Sequence, residues 1–286
     1  MMVGLPGCGK STRARELMED GNVMRCNRDD IRAMLFKRWK GSKEPVVSEI
    51  EKAAIVSAVS SGFDIIIDDT NLSPNTSRRW KNLSVELGVA LVEESFQTTI
   101  EECIERDALR VGKAHVTRGV IENMALRYGL IPPVEPDRKV VIFDVDGTLV
   151  DCTHRQHWIK NKPKDHARFY AEAVNDPPIT KNIQWVQECH SAGDYIIIVS
   201  GRPTDLNSDI TVRQLQKYGV VYRHLFMRAA EDYRDDDIVK QEILDGILKW
   251  IPKEQIAFTV DDRPRVIRMW RANGLLCHDV GLGIDF

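Results

Sequence analysis

An apolar run, Val140 to Phe143, empties into Asp144-Val145-Asp146-Gly147-Thr148, and this stretch narrows the choice of fold more than any other in the chain. The run is short, rich in β-branched residues and uninterrupted, the pattern of a strand buried on both faces. Side chains alternate along an extended chain, so Asp144 and Asp146 share one side and Val145 takes the other. Gly147 can supply the turn that follows. Two carboxylates therefore converge at the end of a buried strand, where open α/β sheets bind their ligands. A bare D-x-D is compatible with a solvated pair, but the full string, with Gly-Thr and flanking apolar residues, points to chemistry.

A second motif makes the same demand for a strand followed by a helix. Gly4-Leu5-Pro6-Gly7-Cys8-Gly9-Lys10-Ser11 fits G-x-x-x-x-G-K-[ST] in full. Gly4, Gly7 and Gly9 let backbone N–H groups fold round a β-phosphate, Lys10 reaches the β and γ oxygens, and Ser11 can hold Mg²⁺. Thr12 to Met18 reads as the helix whose first turn faces those phosphates. Only Met1, Met2 and Val3 precede Gly4, so the strand is short or begins upstream of this Met1.

The remainder of the first half alternates helix and strand. Val23-Met24 leads to Asn27-Arg28-Asp29-Asp30-Ile31-Arg32, where a carboxylate can accept a proton from an attacking hydroxyl and Arg32 lies one turn beyond Asp29. Ser48 to Val59 has helical apolar spacing, Ile65 to Ile67 is a strand opening into Asp68 and Asp69, and Ser73-Pro74 starts another helix. Asp68 or Asp69 could orient a metal's water shell or the acceptor. Val89 to Phe96 is a further predicted strand. Thr98-x-x-Glu101 is a predicted capping box, opening a helix on which Arg106 and Arg110 share a face.

Three prolines in five residues, Pro132, Pro133 and Pro136, forbid a helix and mark the boundary between two domains. Beyond it, Thr180 to Ala192 reads as a helix ended by Gly193. Tyr195 to Val199 is a second buried strand ending in Ser200-Gly201-Arg202, whose hydroxyl and guanidinium can hold phosphoryl oxygens. Lys240 stands early in an amphipathic helix, and Ile256 to Val260 runs into Asp261-Asp262-Arg263. Oxygen ligands from more than one strand are what a cation beside a phosphoryl group requires, and the Asp261-Asp262 pair completes them.

These motifs carry a resemblance. GLPGCGKS, NRDDIR, DDTNLSP and the Arg106/Arg110 pair resemble the kinase half of the bacteriophage-type bifunctional polynucleotide kinase-phosphatases. FDVDGTL, SGR, the Arg228 to Lys240 segment, VDDR, Met269-Trp270-Arg271 and the terminal Asp285-Phe286 resemble their phosphatase half, of the haloacid-dehalogenase (HAD) type. The resemblance implies an α/β chain: a P-loop kinase domain with a parallel sheet and flanking helices over 1–130, a Pro-rich linker over 131–138, and a HAD-type Rossmannoid phosphatase domain over 139–286. It implies that Gly4, Gly7, Gly9, Lys10, Ser11 and Thr12 bind ATP or another NTP, with Ser11 on Mg²⁺. Asp29 would be the general base on a 5′-OH, Arg32 and Asp69 would serve the acceptor, and Arg106 and Arg110 would form the lid. In the second half Asp144 would be the nucleophile and Asp146 the general acid and base. Mg²⁺ would sit on Asp144, the Asp146 carbonyl, Asp262 and Asp261. Arg155, Ser200, Arg202, Arg228, Asp236 and Lys240 would bind or position phosphate.

The implied substrates are RNA or DNA ends, as single strands or nicks, with a 5′-OH to phosphorylate and a 3′-phosphate or 2′,3′-cyclic phosphate to remove. A link to a nucleic-acid ligase and a homo-oligomer go with the family. Net charge is −3, from 40 basic and 43 acidic residues, so there is no global basic footprint and nucleic-acid contact falls to local arginines. That modest charge also suits an alternative, a small-molecule kinase fused to a nucleotidase-like phosphatase. A non-catalytic nucleotide sensor is a third reading, and it leaves Asp29 and the Arg pair idle. Six cysteines without a C-x-x-C pair, no leader and no membrane-length apolar run point to reduced thiols and the cytoplasm, that of the host cell if the chain is phage-encoded.

Overall fold

The computed structural model describes residues 1–19, 21–37, 41–160 and 162–281. The chain divides into two compact units, Met1–Arg110 and Val111–Phe286. The Asp285-Phe286 terminus named above lies outside the described residues.

In the first unit β1 (Met2–Val3) leads through the glycine loop into α1 (Lys10–Met18). There follow β2 (Val23–Cys26), α2 (Arg28–Leu35), α3 (Glu44–Ser60), β3 (Asp64–Ile67), α4 (Pro74–Leu87), β4 (Glu94–Ser95) and α5 (Ile100–Ala108). All pairing is parallel, β1 with β4 and β2 with β3. Gly4 N donates to Thr70 O at 3.0 Å and Asn71 Nδ2 to Met2 O at 2.8 Å, joining the two ladders where the glycine loop begins. Val47, Ile55, Ile67, Trp80 and Leu83 form a core between α3, β3 and α4.

Three local expectations are corrected here. The strand foreseen over Val89 to Phe96 is only Glu94–Ser95, because β1 offers just Met2 and Val3 as partners. The capping residue is Thr99, whose Oγ1 accepts from Glu102 N at 3.2 Å, while Thr98 Oγ1 donates to Cys8 O at 3.0 Å. Arg110 is not on the helix face of Arg106. Arg110 N donates to Asp107 O at 2.9 Å and Val111 is already extended, so α5 has ended one turn early.

The second unit opens with α6 (Arg118–Tyr128) and β5 (Val140–Phe143), then α7 (His157–Lys160), α8 (His166–Ala171), α9 (Thr180–Ser191) and β6 (Tyr195–Pro203). It continues with α10 (Leu206–Lys217), β7 (His224–Arg228), α11 (Asp236–Ile247), β8 (Ile256–Asp261), α12 (Pro264–Ala272) and β9 (Cys277–Asp279). Five parallel strands lie in the order β7-β6-β5-β8-β9. From β5 the chain winds outward through β6 and β7, then returns to the other side of β5 with β8 and β9. This reversal beside β5 is a topological switch point, and the crevice beyond the strands' carboxyl ends opens there. Val141, Phe143, Ile196, Ile198, Leu225 and Val260 bury the sheet faces, as their uninterrupted apolar runs require.

The proline cluster at 131–138 falls inside this second unit. Helix α6 explains why. Its Glu122 Oε2 accepts from Leu225 N at 2.8 Å, its Asn123 Oδ1 accepts from Met227 N at 3.2 Å, and Asn123 Nδ2 donates to Met227 O at 2.6 Å. Strand β7 would otherwise present an open edge of unpaired backbone groups, and α6 covers it with side chains. Among the described residues no helix is long and apolar enough to cross a membrane.

Candidate active sites

The glycine loop of the first unit is built as its sequence demands. Gly7 and Gly9 have φ of 86° and 106°, and a side chain at Gly7 would collide with the Cys103 carbonyl. Helix α1 starts at Gly9 with no side chain capping its first turn, so its opening N–H groups and dipole are available to an anion. Lys10 is buried, its Nζ donating to Gly4 O at 2.9 Å and Leu5 O at 2.7 Å. Arg106 is at this loop too: a Cβ on Gly9 would lie 3.8 Å from its Nη1. Its guanidinium also pairs with Glu102, one turn back on α5. Ser11 and Thr12 follow on the first turn of α1.

Asn27 caps α2, its side chain accepting from Asp30 N, and this leaves Asp29 on the first turn with its side chain 83 % exposed. Arg32 Nη1 pairs with Asp29 Oδ1 at 2.5 Å and also reaches Glu44. Asp69 is brought to the same helix end, accepting from Arg28 N at 3.1 Å. Burial, and then the neighbouring carboxylate of Glu51, push Asp69 up to about 8. Asp68 points elsewhere and is tied to Arg25 Nε at 2.6 Å. The first unit thus gathers Lys10, Ser11 and Arg106 round the loop, and Asp29, Arg32 and Asp69 round the start of α2.

In the second unit Asp144 stands at the carboxyl end of β5 and Asp261 at that of β8, with Asp262 following. Carboxylate oxygens of these three lie within 4.8 Å of one another. Lys240 reaches in from α11, its Nζ 2.7 Å from Asp144 Oδ1 and 2.8 Å from Asp261 Oδ2. Trp270 Nε1 donates to the same Asp261 oxygen at 3.2 Å. Burial pushes Asp144 well above the usual carboxylate range; Lys240 opposes this, and Asp261 and Asp262 add to it. Burial and Asp261 likewise raise Asp262 to about 7. Crowded acids that resist ionisation, offering only hard oxygen atoms, fit a divalent cation such as Mg²⁺. Gly147, at φ 83°, is required here because a Cβ would collide with the Asp262 carboxylate.

Asp146 has a different surrounding. Its carboxylate is outside that trio and is gripped by Arg155 Nη2 at 2.5 Å and by Arg202 Nη2 at 2.5 Å and Nε at 3.0 Å. Burial alone would raise it, but Arg202 and Arg155 hold it well below the usual range. Arg155 and Arg202 are fully buried, and the pocket is lined instead by Asp144, Asp146, Tyr170, Gly201, Arg228, Asp236, Asp262 and Arg263. Arg155, Ser200 and Arg202, which the resemblance implies bind or position phosphate, lie behind Asp146 in this structure and are not among the residues lining the pocket. The guanidiniums are occupied by carboxylates beneath Asp146, and Ser200 Oγ accepts from Arg202 N at 3.2 Å inside the strand. Arg228 does face the pocket, pairing with Asp236 at 3.1 Å. Asp236 also lies 3.3 Å from Arg263 and 3.8 Å from Lys240.

Two residues went unread in the sequence. Asp176 is fully buried and binds Arg155 Nη2 at 2.6 Å, Arg202 Nη2 at 2.9 Å and His154 Nε2 at 2.9 Å. It sits in an irregular loop, and its one signal is that Pro177 and Pro178 follow it, which stiffens the backbone there. Arg263 was passed over as the end of the VDDR string, although its neighbours Asp236 and Asp262 keep it charged within the pocket wall against the cost of burial.

Residues 138–286 match the family described as polynucleotide kinase PNKP phosphatase domain, and residues 1–131 match the AAA domain family. A protein of Autographa californica nuclear polyhedrosis virus, named as a bifunctional polynucleotide kinase/RNA ligase, is 23 % identical over 296 residues. That match takes in 95 % of this chain and 40 % of the viral protein, so the chain spans less than half of that relative. Among solved structures, a chain of the Pnkp1/Rnl/Hen1 RNA repair complex is 28 % identical, with 100 % of this chain and 96 % of that one covered and a TM-score of 0.43. CbbY from Rhodobacter sphaeroides in complex with phosphate is 12 % identical over 52 % of this chain and 90 % of its own, with a TM-score of 0.36.

Proposed function

The chain belongs to the family of the polynucleotide kinase PNKP phosphatase domain, and from that membership we propose that it heals both ends of a broken strand. The first unit transfers the γ-phosphoryl of ATP to a 5′-OH, and the second removes a 3′-phosphate or 2′,3′-cyclic phosphate. The observation that carries this reading is the meeting of Asp144, Asp261 and Asp262 beside Lys240, with Asp146 separately held by Arg155 and Arg202.

In the first unit Lys10 and the loop N–H groups bind the β and γ phosphates, with Arg106 close by to offset charge in flight. Asp29 takes the proton of the attacking 5′-OH, and Arg32 and Asp69 orient the acceptor. Arg110 joins Arg106 only if the segment after α5 folds over the nucleotide. In the second unit Asp144 attacks phosphorus, the ester bond to the 3′-oxygen breaks, and Asp146 delivers a proton to that leaving oxygen. Asp146 then takes a proton from the water that hydrolyses the aspartyl-phosphate. Arg202 and Arg155 keep the resting Asp146 ionised, so it has to take up a proton before it can act as the acid of the first half-reaction. Asp144, Asp261 and Asp262, with the main-chain carbonyl of Asp146, would hold Mg²⁺, whose charge offsets that of the phosphoryl group. Arg228 and Arg263 face the pocket and are placed to bind phosphoryl oxygens, while Lys240 keeps Asp144 aligned.

The viral relative's name pairs a polynucleotide kinase with an RNA ligase, which supports RNA ends as substrate and a ligase as the next enzyme. The test is to incubate 5′-OH, 3′-phosphate oligonucleotides of RNA and of DNA with ATP and Mg²⁺ and to analyse both ends. Lys10→Ala should abolish 5′ phosphorylation and spare 3′ dephosphorylation, and Asp144→Asn should do the reverse. A folded variant that loses both activities at once would overturn the reading, as would transfer to small molecules with none to oligonucleotides.

A further inference from the structure

The catalytic pocket of the second unit, about 720 Å³, has walls of different character. One is built of ion pairs: Glu231, Asp232 and Asp235 line it, with Arg234 paired to Asp232 at 2.7 Å and Glu242 at 2.5 Å, and Arg265 to Asp235 at 3.4 Å. The other comes from α8 and the turn before it, and presents Lys164, His166, Phe169 and Tyr170. Behind that wall lies a second hollow of about 620 Å³, bounded by His157, Trp158, Pro163, Lys164, Asp165, His166 and Ala167. Lys164, His166 and Ala167 line both hollows, so the two meet along one edge.

The second hollow has the chemistry of a base site. The ring of His157 lies 4.4 Å from that of Trp158, the Arg168 guanidinium lies 4.7 Å from the Trp158 ring centroid, and the indole Nε1 is buried with no hydrogen-bond partner among the described residues. A nucleobase offers a flat π face and ring or carbonyl acceptors, which match a ring edge and an orphaned N–H donor. Asp165, the acid of this hollow, is already engaged, accepting from Arg168 N at 3.0 Å and pairing with Arg168 Nε at 3.4 Å. Lys164 therefore sets the charge of the shared edge. Asp232 and Asp235 are neutralised by Arg234 and Arg265, whereas Lys164 stands exposed at the shared edge, so a polyanion leaving the catalytic pocket is drawn toward Lys164.

We infer that the hollow beside Trp158 receives the second nucleoside from the end of a single strand whose 3′-phosphate lies at Asp144. The inference rests on the 3′-phosphatase reading and adds to it a subsite, a strand path and a preference for ends of two or more nucleotides.

The experiment compares kcat/KM for a mononucleoside 3′-phosphate with that for a dinucleotide 3′-phosphate, using the full chain with Mg²⁺. In the wild type the dinucleotide should be favoured about tenfold, the scale of one stacked base. Trp158→Phe, which keeps an aromatic ring but has no N–H donor, should retain only part of that advantage. Trp158→Ala should bring the ratio near one, and Lys164→Ala should lower it in the same direction. Because each ratio is internal to one variant, a general loss of activity cancels. If Trp158→Ala shows no cooperative melt, the exposed Lys164→Ala decides. A wild-type ratio near one, or a ratio unchanged in the folded variants, overturns the subsite. Hydrolysis of neither substrate by the wild type would instead overturn the phosphatase reading itself.

Discussion

Asp146 and Asp176 are held by the same two guanidinium groups. Arg155 Nη2 lies 2.5 Å from Asp146 and 2.6 Å from Asp176, and Arg202 Nη2 lies 2.5 Å and 2.9 Å from the same pair. Two buried cations against two carboxylates balance in charge, and neither arginine can drift while both acids remain. Asp146 is thus positioned by a residue that never faces the pocket.

Replacing Asp176 tests that arrangement. Asp176→Ala should destabilise the second unit by about 3–5 kcal/mol, the usual cost of leaving buried charge without its partner. Asp176→Asn should fold better yet lose most 3′-phosphatase activity, because the amide cannot neutralise the arginines that orient Asp146. Thermal melts and parallel kinase and phosphatase assays check this; unchanged phosphatase activity in Asp176→Asn would refute it.

The first unit should respond to alkali through Asp69. Its carboxyl is raised to about 8 by burial and by Glu51, against about 3.9 in an unfolded chain. The folded state therefore holds a proton that the unfolded state has released, and stability is full below about pH 4 and falls as pH rises toward 8. Glu51→Gln removes the second cause, so the decline should be shallower. Denaturant midpoints of the first unit from pH 5 to pH 8.5 measure both slopes, and an equal slope in the variant would count against it.

Cation binding at the second site should expel protons. Asp144 is raised well above the ordinary range and Asp262 to about 7, so near neutral pH part of this trio is protonated without metal. Mg²⁺ binding should release protons at pH 7, seen as heats that change with the ionisation enthalpy of the buffer. Chelation should silence the phosphatase. Asp262→Asn should release fewer protons and bind Mg²⁺ more weakly; buffer-independent heats in the wild type would rule the scheme out.

Gly201 tests how closely β6 packs on the pocket. The register between β6 and β7 shifts between Ser200 and Pro203, and a Cβ on Gly201 would collide with the Asp236 carboxylate. Asp236 holds Arg228 and neighbours Arg263 and Lys240. Gly201→Ala should cost about 1–3 kcal/mol as an overpacking change and lower phosphatase kcat about tenfold or more by displacing these cations. Kinase activity of the same preparation serves as the internal control, and full phosphatase activity would show that Asp236 can yield.

Much of the second site was legible because parallel strands bring their carboxyl ends together whatever lies between them. Asp144, Asp146, Asp261 and Asp262 each follow a short apolar run, and Lys240 follows the N-terminal turn of an amphipathic helix. The glycine loop was legible for a similar reason, since its spacing describes a backbone conformation as well as a set of side chains. One misjudged feature depends on a neighbour that is distant in sequence. The length of β4 was decided by β1, which lies at the start of the chain.

Local sequence by itself determined which residues end the strands and where the backbone must turn through glycine. Those properties follow from periodicity and backbone sterics, which act over a few residues. Only the tertiary structure decided what each charged side chain faces. The resemblance implies that Arg155 and Arg202 bind or position phosphate, and the fold buries both with Asp146 and Asp176 because a desolvated guanidinium needs carboxylates at hydrogen-bond distance. Asp176 lies 21 residues from Arg155 and 26 from Arg202, and no local pattern encodes a partnership across those intervals.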